Sequence, residues 1–348
     1  MRTKLLAAAV LLAALAPARA DDGLTKGTPE LKSISALAFG PKGLLLIGDS
    51  AGAAVVAVDT GDTKAAGDKP LNVEKIDSKI AAALGADTVR ITDVKVNPAS
   101  GNLFVSADRA GKPAVVKVAR DGTVTAFPLK DVPFASVKLP NPATGGKGPP
   151  AVITQMAFVD GKVIVAGLSS EEFASTLRVI PFPFKEADKG SGIQIYHGAH
   201  GALETRSPIR TFVAYKIGKE ENIMAAYTCT PLVKIPVSEL KPGAKVKGTT
   251  IAELGNRNNP LDMIVYAKGG KDYLLMANSA RGVMKIPTTE FATATAITAR
   301  PAGDTAGVKY ETIAELKDVM QLDKLNDDSA ILLVKNGTNF DLKTIPLP

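Results

Sequence analysis

The sequence predicts an all-β fold made of six copies of one small antiparallel unit. Short apolar runs recur along the chain, and turn-forming segments such as Pro41-Lys42-Gly43 and Asp160-Gly161 separate them. Tryptophan is absent and a single cysteine is present, so Val, Ile, Leu and Ala must fill the core without an intrachain disulfide. The Ala-rich segments 79–86 and 291–299 are long enough only for short helical turns.

Each unit begins with two apolar strands joined by a tight turn. The units start at residues 34, 91, 153, 211, 261 and 320, which gives intervals of 57, 62, 58, 50 and 59 residues. The third strands resemble one another most closely, as the segments LVKIPVSEL and VMKIPTTEF show. A fourth strand is predicted in the first five units, at 71–78, 124–130, 193–197, 249–254 and 310–316.

Four short antiparallel strands repeated radially are typical of a β-propeller, which protects its strand edges by closing into a ring. The sequence therefore predicts a six-bladed β-propeller of four-stranded blades. Because the last unit ends at its third strand, we expect residues 29–33, near the mature N-terminus, to supply the missing strand and close the last blade. Two packed sheets or an open solenoid are the alternatives.

In architecture alone, residues 29–348 resemble the six-bladed propeller group that includes NHL-repeat and gluconolactonase-like proteins. The resemblance implies that two sets of loops lie on one face, around the mouth of a central channel. One set follows the second strands, and the other leads into the first strands.

Residues 1–20 have the order of a cleaved signal peptide. Arg2 and Lys4 precede an apolar run at 5–15, and Ala18-Arg19-Ala20 follows it. The run is shorter than the roughly 20 residues that span a bilayer. The sequence thus predicts a signal peptide at 1–20, a single propeller domain at 21–348, no membrane span, and a secreted or periplasmic location. An uncleaved anchor is the alternative.

The charge distribution does not favour nucleic acid as a partner. The formal net charge is +7, and removal of the three basic residues of the signal peptide lowers it to +4. Lysines are dispersed among apolar residues, without a basic cluster that contains aromatic side chains.

The rarest reactive residues fall in the loops of one unit. His197 and His200, the only histidines, precede the fourth unit, and Cys229 lies in another of its loops. Imidazole and thiolate together favour copper or zinc, with Glu204 as a further ligand. The histidines could also act as general acid or base, together with Arg210 and Asp262.

Other polar residues in the loops of the fourth and fifth units favour an anionic ligand, because guanidinium groups bind carboxylate or phosphate in a bidentate manner. The predicted ligand-binding residues are Arg206, Asn256, Arg257, Asn259, Asn278 and Arg281. For Arg206 and Arg210 the alternative is ion pairing with Glu204 and Asp262.

Polar residues also recur at the third position of the first strands, as Asp93, Gln155, Asp262 and Gln321. We expect them to form a collar inside the channel. They could contact a ligand or hold a divalent ion such as calcium, or each could hydrogen-bond the backbone of a neighbouring blade.

The leading functional hypothesis is an exported propeller that binds a small anionic or metal-associated ligand at the channel mouth, over the fourth and fifth blades. A metal-dependent hydrolase or lyase of the propeller type is the first alternative, and a scaffold for protein partners is the second. The sequence determines neither the oligomeric state nor whether the protein is an enzyme.

Overall fold

A computed structural model describes residues 23–145, 151–229 and 231–348, so the predicted signal peptide lies outside the described residues. Antiparallel strands form most of the regular structure in this part of the chain. None of the helices in these segments is long and apolar enough to cross a membrane.

Short strands follow one another along the whole described chain. The first part forms β1 (Thr25–Gly27), β2 (Ala36–Phe39), β3 (Leu44–Asp49), β4 (Ala54–Asp59), the helix α1 (Ile76–Ala83), β5 (Arg90–Val96), β6 (Leu103–Arg109), β7 (Lys112–Val118), β8 (Val124–Phe127) and β9 (Val132–Lys138). The middle part forms β10 (Gln155–Val159), β11 (Lys162–Leu168), β12 (Ser175–Pro181), β13 (Ser191–His197), β14 (Ala202–Glu204), β15 (Thr211–Ile217), β16 (Glu220–Ala226), β17 (Pro231–Pro236), β18 (Lys245–Lys247) and β19 (Thr249–Leu254). The last part forms β20 (Pro260–Lys268), β21 (Lys271–Asn278), β22 (Gly282–Pro287), β23 (Thr305–Gly307), β24 (Glu311–Ile313), β25 (Val319–Lys324), β26 (Ser329–Asn336) and β27 (Asn339–Pro346).

These strands form six small antiparallel sheets, which confirms the six-bladed propeller. Reading outward from the channel, the blades are β2-β3-β4-β9, β5-β6-β7-β8, β10-β11-β12-β13, β15-β16-β17-β19, β20-β21-β22-β24 and β25-β26-β27. The predicted fourth strands at 124–130, 193–197, 249–254 and 310–316 are found as β8, β13, β19 and β24. Short strands such as β1 and β23 extend the outer edges of two blades.

The order of the blades around the ring differs from their order along the chain. The inner strand β2 lies between β5 and β10, and β5 also contacts β25. The second blade therefore sits between the first and the sixth, and the first blade is next to the third. The fourth strand of the first blade, β9, comes only after the whole second blade has formed.

The buried apolar clusters follow this spatial order. One cluster joins Val105 and Val116 of the second blade to Ile331 and Leu342 of the sixth. Another joins the first and third blades, with Leu46 packed in the same cluster as Val163. Burial of such side chains between adjacent blades is the main source of stability in a fold without covalent cross-links.

The ring is not closed by residues 29–33, which form no strand; this part of the prediction is wrong. The N-terminal strand β1 instead pairs with β9 in the first blade, where Thr25 faces Phe134. The free edge of β27 is covered by residues 71–73, since Val73 N donates to Leu342 O and Leu342 N donates to Val73 O, both at 2.9 Å. Residues 71–78 were expected to complete the first blade, but β9 occupies the outer edge of β4.

The segment between β4 and α1 is held in place as it passes the second blade. The carboxylate of Asp62 accepts hydrogen bonds from Ser100 Oγ at 2.5 Å and from the side-chain amides of Asn97 and Asn102 at 3.2 and 3.0 Å. Helix α1 follows, and its fully buried Ile76 and Ile80 join the cluster between the second and sixth blades. These contacts bring residues 71–73 to the edge of the last blade.

A substitution of Thr344 tests how much the ring closure contributes to stability. Its hydroxyl accepts from Leu71 N and donates to Leu71 O, both at 2.8 Å. Replacing Thr344 with Val keeps the side-chain shape and leaves both backbone groups of Leu71 without these partners. We expect T344V to lower the free energy of unfolding in urea by about 1–2 kcal/mol. The matched change T125V, at an exposed position of β8, should have little effect; equal losses in both variants would contradict the importance of this closure.

Candidate functional site

The two histidines lie at the end of the third blade. His197 is the last residue of β13 and is 2 % exposed, and the chain then turns back into β14. The backbone N–H groups of His200 and Gly201 donate to His197 O at 3.1 and 2.9 Å, which closes a tight turn. The turn folds the His200 ring over the His197 ring, with the centroids 3.8 Å apart.

Glu204 holds both imidazole rings. Its Oε2 lies 3.0 Å from His197 Nδ1, and its Oε1 lies 2.5 Å from His200 Nδ1. Ser207 Oγ also donates to Oε2 of the same carboxylate. The Nδ1 atoms are therefore engaged, whereas the buried Nε2 of His197 has no hydrogen-bond partner within the described part of the chain. Glu204 was predicted as a metal ligand; that role stays a prediction, and its contact with both rings was not foreseen.

Cys229 approaches the histidines from the fourth blade. It follows β16 with a left-handed backbone, φ 63°, and its N–H donates to Asn258 O at 2.7 Å. The ligand atoms offered by His197, His200 and Cys229 all lie within 4.8 Å of one another. The structure thus brings together the three residues that the sequence singled out, and their role as metal ligands stays a prediction.

The charges in this cluster suit a neutral His197 ring beside an ionised carboxylate. Burial lowers the pKa of His197, although Glu204 opposes this effect. Partial burial disfavours the ionised form of Glu204, but hydrogen bonds from Ser207, His200 and His197 outweigh it and lower the pKa of Glu204 to about 2. At neutral pH the carboxylate is ionised and the His197 ring is neutral, the form of histidine that binds metals.

Glu253 is a further residue of the site, and sequence reasoning missed it. It lies near the end of β19, is 1 % exposed, and its Oε1 accepts from Gly198 N at 2.6 Å. No described residue forms a hydrogen bond with its Oε2, and burial raises the pKa of Glu253 to about 7. A Cβ at position 198 would lie 2.8 Å from Glu253 Oε1, so a larger residue there would force the Glu253 side chain to shift. The available signal was a carboxylate on the otherwise apolar strand TTIAEL.

The arginines of the loop before β15 do not form the ion pairs that were the alternative to ligand binding. Arg206 and Arg210 are exposed, and among the described residues neither forms a salt bridge with Glu204 or Asp262. Glu204 is engaged by the histidines, and Asp262 is engaged by Lys95. Arg257 is also exposed, at a left-handed backbone position with φ 55°.

The remaining predicted ligand-binding residues, around the fifth blade, mainly form hydrogen bonds with other residues of the protein. Asn256 Nδ2 donates to Asp304 Oδ1 at 3.1 Å, and Arg281 lies 3.8 Å from the same carboxylate group. Asn278 is buried and accepts from Asn258 Nδ2 at 3.0 Å. Asn259 is exposed, and its backbone N–H donates to Ser279 Oγ.

The collar residues hydrogen-bond neighbouring blades. Asp93 Oδ2 accepts from Leu37 N of the first blade at 2.7 Å, and Asp262 Oδ2 lies 3.4 Å from Leu322 N of the sixth. Gln321 Nε2 donates to the backbone oxygen of Thr92. Strand irregularities beside Asp93, Asp262 and Gln321 accompany these contacts. The carboxylates therefore bridge blades through the backbone, as the structural alternative predicted.

Lys95 supplies a cation to this collar. Its Nζ lies 3.1 Å from Asp262 Oδ2 and 3.9 Å from Asp93 Oδ1. Burial raises the pKa of Asp93 to about 7 although Lys95 opposes it. The geometry gives no support to a divalent ion held by Asp93, Gln155 and Asp262, because the ammonium group of Lys95 already lies beside both carboxylates.

The raised pKa of Asp93 predicts a pH-dependent stability difference. The carboxyl ionises near pH 3.8 in the unfolded chain and near about 7 in the folded one, so the folded state binds more protons between these values and stability from this group falls as pH rises. The charged groups that act on it are Lys95 and Asp262, and the backbone N–H groups of Leu37 and Val94 also donate to it. We expect D93N, which cannot ionise, to gain stability relative to the wild type between about pH 4 and pH 8. Urea unfolding at each pH measures this, and a difference that stays constant or moves the other way would contradict it.

Comparisons with known proteins show no close relative. No protein-family model matches the chain, and no curated protein sequence matches it. The similar solved structures include a streptogramin B lyase, with 8 % identity, a TM-score of 0.44, and coverage of 93 % of this chain and 97 % of that one. They also include the hydrazine synthase of Kuenenia stuttgartiensis, with 12 % identity, a TM-score of 0.35 and coverage of 92 % and 97 %. A PQQ-bound aldose sugar dehydrogenase from Streptomyces coelicolor has 13 % identity, a TM-score of 0.30 and coverage of 92 % and 97 %. Likenesses this distant carry no functional conclusion.

Proposed function

We propose that this protein is an exported β-propeller that binds copper or zinc through His197, His200 and Cys229, with a small anion completing the coordination of the metal. One observation carries the proposal: His197, His200 and Cys229 each offer a ligand atom, and these atoms lie within 4.8 Å of one another. The buried Nε2 of His197 supports it, because this atom has no hydrogen-bond partner among the described residues. A buried, unpaired ring nitrogen is costly unless something binds it.

The contact of Glu204 with both Nδ1 atoms supports this role. Metal-binding histidines commonly donate their second ring N–H to a carboxylate, which fixes the tautomer and leaves the other nitrogen as the ligand. Here a single carboxylate, 3.0 Å and 2.5 Å from the two rings, can orient both of them.

The identity of the ligand atoms favours a soft metal. Two imidazoles and a thiolate suit copper and zinc better than calcium or magnesium, which prefer oxygen ligands. Binding of either metal would displace the thiol proton of Cys229. Because Cys229 and His200 are not fully buried, a metal at this site would remain accessible to a further ligand.

The free arginines support an anion as that further ligand. Arg206 and Arg210 are exposed and lie on the same connection as His200 and Glu204. Since neither guanidinium group pairs with a carboxylate of the described residues, both are available to bind a carboxylate or phosphate. Asn256 and Arg281 already pair with Asp304, so they contribute less to this part of the proposal.

A metal-dependent hydrolase is the second candidate, and Glu253 favours it. A carboxylate with one unpaired oxygen beside the histidine turn could accept a proton from a metal-bound water. Under this candidate, E253Q would abolish hydrolysis while leaving metal binding intact. The scaffold alternative has little support, because Leu203 is the single exposed large hydrophobic side chain among the described residues.

Metal titration tests the proposal directly. We expect the purified protein to bind one equivalent of Zn²⁺ or copper, and Co²⁺ to produce a thiolate charge-transfer absorption band. C229S should abolish that band, and C229S or H200A should weaken binding by about 100-fold or more, since each removes a ligand. E172Q, at an exposed surface carboxylate, is the control. Unchanged affinity in both ligand variants, or no binding of any of these metals, would sink the proposal.

The orienting role of Glu204 predicts a smaller effect. E204Q retains the size of the side chain but loses the charge that holds both Nδ1–H groups, so metal affinity should fall by about 10- to 100-fold. The Co²⁺ charge-transfer band should persist, because Cys229 is unchanged. Loss of the band in E204Q would instead identify Glu204 as essential to the metal geometry.

Export is tested by the mature N-terminus. If residues 1–20 are a cleaved signal peptide, the protein expressed with them in a bacterial host should accumulate outside the cytoplasm and begin near Asp21. N-terminal sequencing of the exported fraction provides the measurement. Intact protein that begins at Met1 and stays in the cytoplasm would contradict export without affecting the proposed metal site.

A further inference from the structure

The central channel contains a cavity of about 420 Å³ at the end opposite the histidines. All six blades line it, through residues in the later part of their inner strands such as Phe39, Val96, Phe158, Ala214, Val265 and Lys324. At this end of the channel, each inner strand continues into the hairpin that joins it to the second strand of its blade. His197 ends a fourth strand and Cys229 follows a second strand, and both positions lie at the other end of an antiparallel blade.

The walls of this cavity are mainly apolar. Met156, Phe212 and Met263 contribute to them, and the polar lining groups come from Lys95, Gln155, Asp323 and Lys324. A volume of about 420 Å³ falls within the range of small-molecule sites. Apolar walls disfavour a hydrated inorganic ion, which would have to lose water without oxygen ligands on every side.

The charged groups at the inner end of the cavity carry an excess of negative charge. Three carboxylates, from Asp93, Asp262 and Asp323, surround the single buried ammonium group of Lys95. The ammonium group of Lys324 is engaged by Asp327, with Nζ 2.6 Å from Oδ1. This imbalance repels anions and attracts cations.

Two side chains in the cavity, on opposite blades, offer oxygen acceptors for N–H donors. Gln155 is 8 % exposed, and its amide nitrogen lies 3.5 Å from Thr211 Oγ1, whereas its amide oxygen has no partner among the described residues. Asp323 accepts from Val96 N at 2.7 Å and from Lys324 N at 2.9 Å, one bond to each oxygen, so each oxygen retains accepting capacity.

We propose that this cavity binds a small organic cation: a primary ammonium group at Asp323, with a short aliphatic body against the apolar walls. The site is separate from the histidine cluster and does not depend on the proposed metal function. An ammonium group there would offset the excess carboxylate charge and use the remaining accepting capacity of Asp323.

Three probes with the same body and different charges test the proposal. Hexylammonium, 1-hexanol and hexanoate are titrated into the full-length mature protein at about pH 7.5, with dissociation constants measured by calorimetry or ligand-observed NMR. We expect hexylammonium to bind about tenfold more tightly than 1-hexanol, and hexanoate to bind most weakly. Equal affinities, a preference for hexanoate, or no binding of any probe would overturn it.

Variants locate the binding. D323N should weaken hexylammonium binding about tenfold, and Q155E, which adds a carboxylate, should strengthen it by a similar factor. Q155E keeps the test decisive if D323N does not fold. D160N, at an exposed hairpin carboxylate at the same end of the molecule, and H200A, in the histidine cluster, should leave affinity unchanged. Loss of binding in H200A, or unchanged affinity in both cavity variants when they are folded, would show that the cation binds elsewhere and would overturn the proposal.

Discussion

The pairing of residues 71–73 with the last strand of the sixth blade is the constraint on which the rest of the ring depends. The sixth blade has three strands of its own, and without this segment the N–H and C=O groups along β27 would lack their partners at Val73. The same segment leads through α1 into the second blade, which fixes that blade beside the sixth. The first blade then lies between the second and third blades, and β9 completes it.

Closure of the ring also positions the candidate site. The histidines end a strand of the third blade, and Cys229 follows a strand of the fourth, so their approach depends on the packing of these two blades. Apolar residues from both blades form one buried cluster, including Ile193 and Ile195 of β13 with Leu232 and Ile251 of the fourth blade. Gly198 N and Glu253 add a hydrogen bond across the same boundary.

The sequence predicted the blades well because hairpins are formed by residues close together in the chain. It did not predict which blades are adjacent, because contacts between blades join residues far apart in the chain. Turn residues and apolar runs determine which strands pair within a hairpin. The inner strands are similar in sequence, so they do not indicate which blades lie side by side. The split of the first blade was missed, because residues 71–78 were predicted as its fourth strand and residues 132–138, which form β9, were assigned to no blade. The histidines and Cys229 were found because they are rare residues in loops. The roles of Glu204 and Glu253 required the turn at Gly198 and the contact between blades.

The two ends of the propeller carry chemically different groups. Between them, the collar carboxylates accept hydrogen bonds from backbone N–H groups of adjacent blades and share the ammonium group of Lys95, so they hold the inner strands together. One end of the propeller offers imidazole nitrogens and a thiol, whereas the other offers carboxylate and amide oxygens in an apolar cavity. Soft metals prefer the first set of donors, and ammonium groups need acceptors such as the second. Because these preferences differ, one fold can carry both sites without competition for the same ligand.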